Sequence, residues 1–150
     1  MKYVSITLMI LIVLVILYII HSGNDRGLQE WNDTRPPFKR ADFINHFTSQ
    51  GYDEDIVIYF YDSVMRYIGI ENCNLCPQDR LTEVWQIDSE DLEFGIIPDI
   101  FKALSISLPS DKEIEQYRTK HQDIVWDTPE FLIGILQELR NKKWKSVAFL

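Results

Sequence analysis

The chain has 150 residues, 46% of them hydrophobic, and a formal charge of −8 at neutral pH. That length and apolar share suit one domain with a real core. Two cysteines are too few for a disulfide scaffold, and the acid excess argues against nucleic acid as a partner.

The first segment, Tyr3 to Ile20, is apolar and carries no charge. As a helix, eighteen residues would reach ~27 Å, close to the ~30 Å hydrocarbon core of a bilayer. Tyr3 and Tyr18 stand where interfacial aromatics belong. His21-Ser22-Gly23 makes a weak signal-peptide cleavage site, so an uncleaved transmembrane anchor over residues 1–21 is expected. The cations that follow, Arg26, Arg35, Lys39 and Arg40, outnumber Lys2 and the α-amino group. That asymmetry favours a cytoplasmic soluble domain, with a signal-anchor that exports the domain as the alternative. Residues 22–40 are polar, contain Gly23, Gly27 and Pro36-Pro37, and show no periodicity. They read as a tether, and the basic Arg35 to Arg40 end as one that brushes anionic lipid.

Residues 41–150 read as one all-α domain. Ala41 to Thr48 places Phe43, Ile44 and Phe47 on one side of a short helix. Asp53-Glu54-Asp55 supplies acid at the start of the next, where the helix dipole favours it. Val57, Phe60, Val64 and Ile68 follow at helical spacing, with Ile56 and Tyr67 flanking and Gly69 as the stop. Ile56 to Tyr61 is β-branched and aromatic enough for a strand, but the stripe through Ile68 favours helix. Glu71 to Ile87 is a long connection whose Leu75, Leu81, Val84 and Trp85 are expected in the core.

A helix is predicted to start after Asp88, with Ile97, Ile100, Phe101 and Leu104 on one face and Leu108-Pro109 as its end. Asp111 to His121 is a polar helix. The last helix has the clearest start: Asp127-Thr128 as cap, Pro129 in the first turn and Glu130 beside it. Phe131, Ile135 and Leu139 form its stripe with Leu132 and Leu136 alongside, and Arg140, Lys142 and Lys143 sit near its end. Trp144 and the terminal Val-Ala-Phe-Leu are expected either to touch a membrane or partner, or to fray.

The chemistry-bearing stretch is Leu81 to Asp91, L-T-E-V-W-Q-I-D-S-E-D. A serine at a helix start has its hydroxyl beside free backbone N–H groups and the positive end of the dipole. It can cap the helix, or carry a covalently attached phosphate group. Acid is dense around it: between Ala41 and Ile100 there are two bases, Arg66 and Arg80, against thirteen acids, a local charge of −11. Such a surface suits a basic protein partner, or merely keeps the domain soluble.

The layout of a long helix, a long loop and a helix starting at Asp88-Ser89, followed by Leu108-Pro109, resembles the acyl carrier proteins from about Asp53 to Lys143. It is most similar to a divergent enterobacterial carrier-like group of unknown function. In the family motif D-L-G-x-D-S-L, Trp85 stands at the leucine and Asp88-Ser89 at the D-S pair. The resemblance implies an acyl-carrier-like four-helix bundle, here behind a single transmembrane helix in a bacterial inner membrane. It implies 4′-phosphopantetheine on Ser89 and a transferase-bound metal held with help from Asp88. It also implies a docking face for basic partners at Asp91, Glu93 and Asp99. Three residues depart from the pattern. Gln86 replaces the glycine, Glu90 replaces the leucine after the serine, and Pro98 falls inside the helix. The apolar face also arrives one residue late, which either a bulge absorbs or a helix start nearer Ile97 explains. The expectation is therefore a degenerate carrier acting as an interaction module, with a lipid bilayer and a basic protein surface as partners. A true acyl or peptidyl carrier is the alternative.

Cys73-Asn74-Leu75-Cys76 is a C-x-x-C before Pro77 in a loop. A redox use would need a strand before it and a helix N-terminus at the first thiol. Thiol-redox function is the distant alternative, and a zinc site would lack nearby third and fourth ligands. No nucleophile–base pair points to an enzyme.

Overall fold

The computed structural model describes residues 10–15, 27–70 and 72–147, with side chains up to Lys142. The chain divides into two compact units, Met1–Pro36 and Pro37–Leu150. In the first, residues 10–15 and 27–33 are helical, and the Arg35 guanidinium lies 4.6 Å from the centroid of the Trp31 ring. Among the described residues no helix is long and apolar enough to cross a membrane. This overturns the expected transmembrane helix, and the single-pass membrane placement loses its support. The described part of Tyr3–Ile20 is one helical stretch at residues 10–15. The remainder of that expectation lies outside the described residues.

The second unit is helical throughout its regular structure: α1 (Arg40–Thr48), α2 (Glu54–Ile68), α3 (Ser89–Asp91), a π-helical turn (Leu92–Ile96), α4 (Ile97–Ala103), α5 (Asp111–Lys120) and α6 (Pro129–Val147). The expected four-helix bundle is thus corrected to a bundle with more segments. α1 is a full member, because Arg40 pairs with Asp62 of α2 at 2.9 Å and the Phe43 and Tyr61 rings meet at 5.0 Å.

α2 is the central helix and packs against α1, the π turn, α4 and α6. Its Ile56, Val57, Phe60, Tyr61 and Val64 are buried, as the helical spacing requires, and Gly69 ends it in the left-handed conformation (φ 69°). Its N-terminus is held by α6. The Gln137 side-chain carbonyl accepts from the Asp53 N–H at 2.8 Å, and Arg140 donates to Asp55 at 2.6 Å. Glu138 of α6 pairs with Lys120 of α5 at 3.0 Å.

The helical run from Ser89 to Ala103 contains a bulge. The π turn inserts one extra residue, with the Ile97 N–H reaching back to the Leu92 carbonyl. Leu92, Ile96, Ile100 and Phe101 are buried along it, while Ile97 and Leu104 are half-buried. Pro98, with no N–H to give, sits directly after the wide turn. The helix ends at Ala103, before Leu108-Pro109, because Ser105 turns to a left-handed φ of 54° and the chain leaves the axis.

α5 crosses α6 at a glycine. A Cβ on Gly134 would lie 2.0 Å from the Tyr117 hydroxyl oxygen. Tyr117 is buried there and meets Phe131 edge-on at 5.0 Å. Gly134→Ala is therefore expected to cost about 1–3 kcal/mol through overpacking. Gly95→Ala, where nothing lies within 4 Å, should leave stability unchanged or raise it by up to about 1 kcal/mol. Urea unfolding of both variants checks the contrast.

Candidate functional site

Among its described residues the stretch between α2 and α3 has no regular structure, yet it is pinned at many points. Leu75 and Leu81 are fully buried, and Trp85 is 2% exposed. Val84 of the expected core set is only half-buried. Glu71 lies outside the described residues. Two buried carboxylates organise the stretch. Asp79 accepts from the Cys76 N–H at 2.8 Å and from the Trp85 indole N–H at 3.0 Å. Asp127, just before α6, accepts from Arg80 Nε at 3.0 Å and from the Thr82 hydroxyl. Its own backbone carbonyl accepts from the Leu81 N–H at 2.9 Å, and the Glu130 N–H donates to the Pro77 carbonyl at 3.0 Å. The cap of α6 falls to Thr128, whose hydroxyl oxygen accepts from the Phe131 N–H at 3.3 Å. Of the expected Asp127-Thr128 pair, one residue caps and the other clamps the loop.

This clamp delivers the chain to Asp88 and Ser89. Gln86 adopts φ 55°, a left-handed conformation that side chains other than glycine disfavour. The Asp88 carboxylate then accepts from the Glu90 N–H at 2.8 Å and caps the helix. Ser89 is the first helical residue and is exposed. Asp88 thus has a structural task that accounts for its presence, and the serine hydroxyl is open to solvent.

The three acids expected to form one docking face separate onto two grooves. Asp91 and Asp99 line a groove of about 750 Å³ between α2 and the Ser89–Ala103 run, together with Tyr59, Ser63, Arg66 and Lys102. There the Tyr67 hydroxyl donates to Asp91, and that bond is the main reason its pKa is pushed up to about 12. Glu93 instead lines a second groove of about 600 Å³, bounded by the π turn, α4, the Leu108-Pro109 connector, α5 and α6. This second groove is largely apolar, and two large side chains at its rim are exposed, Phe94 by 79% and Leu108 by 60%. Sequence reasoning passed over Phe94. The available signal was an aromatic residue two positions from both Leu92 and Ile96, hence opposite the buried stripe.

Cys73 is buried and Cys76 half-buried. Among the described residues no group of three or more His, Cys, Asp or Glu side chains is placed to hold a metal ion. No family model matches the chain, and neither a curated protein nor a solved structure matches it. The likeness to acyl carriers therefore rests on the residues quoted above.

Three outcomes are expected of this region. Trp85→Ala should cost about 3–5 kcal/mol in chemical denaturation, because it empties a buried aromatic site. Gln86→Gly should stabilise by up to about 1 kcal/mol in the same measurement, by relieving the left-handed backbone.

The third concerns acid. Burial alone would raise the Asp127 carboxyl, but the Thr82 hydroxyl and Arg80 outweigh it and hold it below the usual value of 3.8. Arg140 does the same for Asp55. The unfolded chain then binds more protons than the folded one as pH falls through 3.8. The stability these groups supply is complete above that range and is lost progressively below it. Asp127→Asn should be less stable at neutral pH and should show a shallower loss of melting temperature into acid.

Proposed function

We propose that this chain is a non-enzymatic interaction module that docks a basic surface of a partner protein through its Ser89–Ala103 helical run. One observation carries the reading. Asp88 at its cap and Glu90, Asp91, Glu93 and Asp99 along it are all exposed, and Lys102 is the run's single base. Charge of this kind accelerates encounter and selects partners by sign more than it adds affinity. The two grooves flanking the run give the partner relief to read as well as charge. In this reading the chain relates to acyl carriers as a degenerate member: Ser89 is spare and Glu90 adds to the acidic face.

A second reading keeps the carrier chemistry. A transferase would attach 4′-phosphopantetheine to the Ser89 hydroxyl, and Asp88 would help hold the transferase's metal ion. The arm would then carry an acyl or aminoacyl thioester. The exposed Ser89 and the left-handed backbone of Gln86, at the family's glycine position, favour it. Glu90, which puts a charge where carriers present an apolar side chain, favours the first reading.

Affinity enrichment of the full chain separates them, alongside the intact mass of protein co-expressed with a broad phosphopantetheinyl transferase. The first reading expects a partner that Ser89→Ala still retains. That partner should be released by added salt and lost on Glu93→Lys with Asp99→Lys. A mass gain of one phosphopantetheine, present on the wild type and absent in Ser89→Ala, would replace it with the carrier reading.

A further inference from the structure

We infer that the groove beneath Phe94 seats the apolar anchor of a short amphipathic helix with basic flanks, contributed by the partner protein. The inference rests on the reading of the chain as an interaction module and names the kind of segment that the module accepts.

The groove's volume of about 600 Å³ falls in the ~300–1,000 Å³ range of sites that enclose a ligand. Its floor is apolar and belongs to the core, with Phe101, Leu132 and Ile135 contributing. Its rim holds the exposed Phe94 and Leu108, an aromatic and an aliphatic side chain. Two large exposed apolar side chains contiguous with an apolar cleft make the kind of patch that marks an interaction site.

The charges around the groove decide the occupant. Glu93, Asp111 and Glu115 line it against the single base Arg118. An acidic peptide, or the carboxylate of a fatty acid, would meet three negative groups at the rim. Lysines or arginines flanking an apolar stripe would meet complementary charge on both walls, which run along the π turn and α5. Helix-in-groove recognition uses this arrangement, with anchors at i, i+3, i+4 and i+7 entering the cleft. The π turn is the device that makes room. Its extra residue widens the helix at Leu92–Ile96 and carries Phe94 on the outer side of a buried Leu92–Ile96 pair.

The test is calorimetric titration of the full chain with a synthetic amphipathic helix of about four turns, leucines on one face and lysines flanking them. Two control peptides replace the leucines by serine or the lysines by glutamate. The leucine–lysine peptide should bind, more weakly at higher salt, and both controls should bind less. Phe94→Ala and Leu108→Ala should each weaken binding about tenfold or more. Both side chains are exposed, so thermal unfolding should show the variants folded, and either one suffices if the other fails.

Equal binding of the leucine and serine peptides, unaffected by Phe94→Ala, would overturn the groove assignment while the acidic docking surface stands. No binding by either lysine peptide would overturn both. Binding of decanoate that Phe94→Ala abolishes, with no peptide bound, would give the groove to an acyl ligand and overturn the inference.

Discussion

The buried carboxylate of Asp127 is the point on which this domain turns. A side chain with no exposed surface keeps its charge only if every oxygen finds a donor, and Arg80 and Thr82 supply them. In doing so it fastens the stretch after α2 to the start of α6. Backbone bonds from Leu81 to Asp127 and from Glu130 to Pro77 close the same joint. Asp79, within the stretch itself, accepts from the Cys76 N–H and the Trp85 indole and fixes both. A segment with no helix of its own thereby gains a fixed path through the core. The energetic asymmetry of buried charge gives the joint its rigidity: satisfied, it contributes modestly, but leaving one partner unpaired costs several times more.

The acidic Ser89–Ala103 run lies directly downstream of that joint. The loop sets where Asp88 caps the helix, and the cap sets the rotation of the run that follows. The π turn then changes the phase partway along. Asp91 looks toward α2 and is tied to Tyr67, while Glu93, two positions on and so on the opposite side of the helix, looks across to α5. One acidic run serves two grooves of different character, a mixed polar one and an apolar one. A partner that bridges the run would sense both.

The other ion pairs do a different job. Arg40 with Asp62 and Lys120 with Glu138 lie at the surface and hold neighbouring helices in register, with little weight in total stability. The Arg140 pairing with Asp53 and Asp55 is more sheltered and anchors the N-terminus of α2, where acid also complements the helix dipole. Most of the stability comes from the apolar stripes of α2, α4 and α6. The acid on the surface is therefore left to act outward.

The sequence by itself determined the helices. Their stripes at Phe43 and Phe47, at Ile56 to Val64 and at Phe131 to Leu139 are periodic, and periodicity is a local property that survives without knowledge of neighbours. Gly69, Thr128 and Pro129 mark their ends for equally local reasons. The sequence also carried the burial of Leu75, Leu81 and Trp85, since large apolar groups in a polar loop have few other places to go. The apolar run Tyr3–Ile20 predicted a membrane helix from composition, an expectation that no described helix supports. Only the tertiary structure decided that Asp127 clamps the loop instead of capping α6. It decided likewise that a π turn absorbs the extra residue, and that the acids of one helix divide between two grooves. The clamp depends on which distant groups satisfy a buried charge, and such pairings, 45 and 47 residues apart for Thr82 and Arg80 with Asp127, leave no period in the chain.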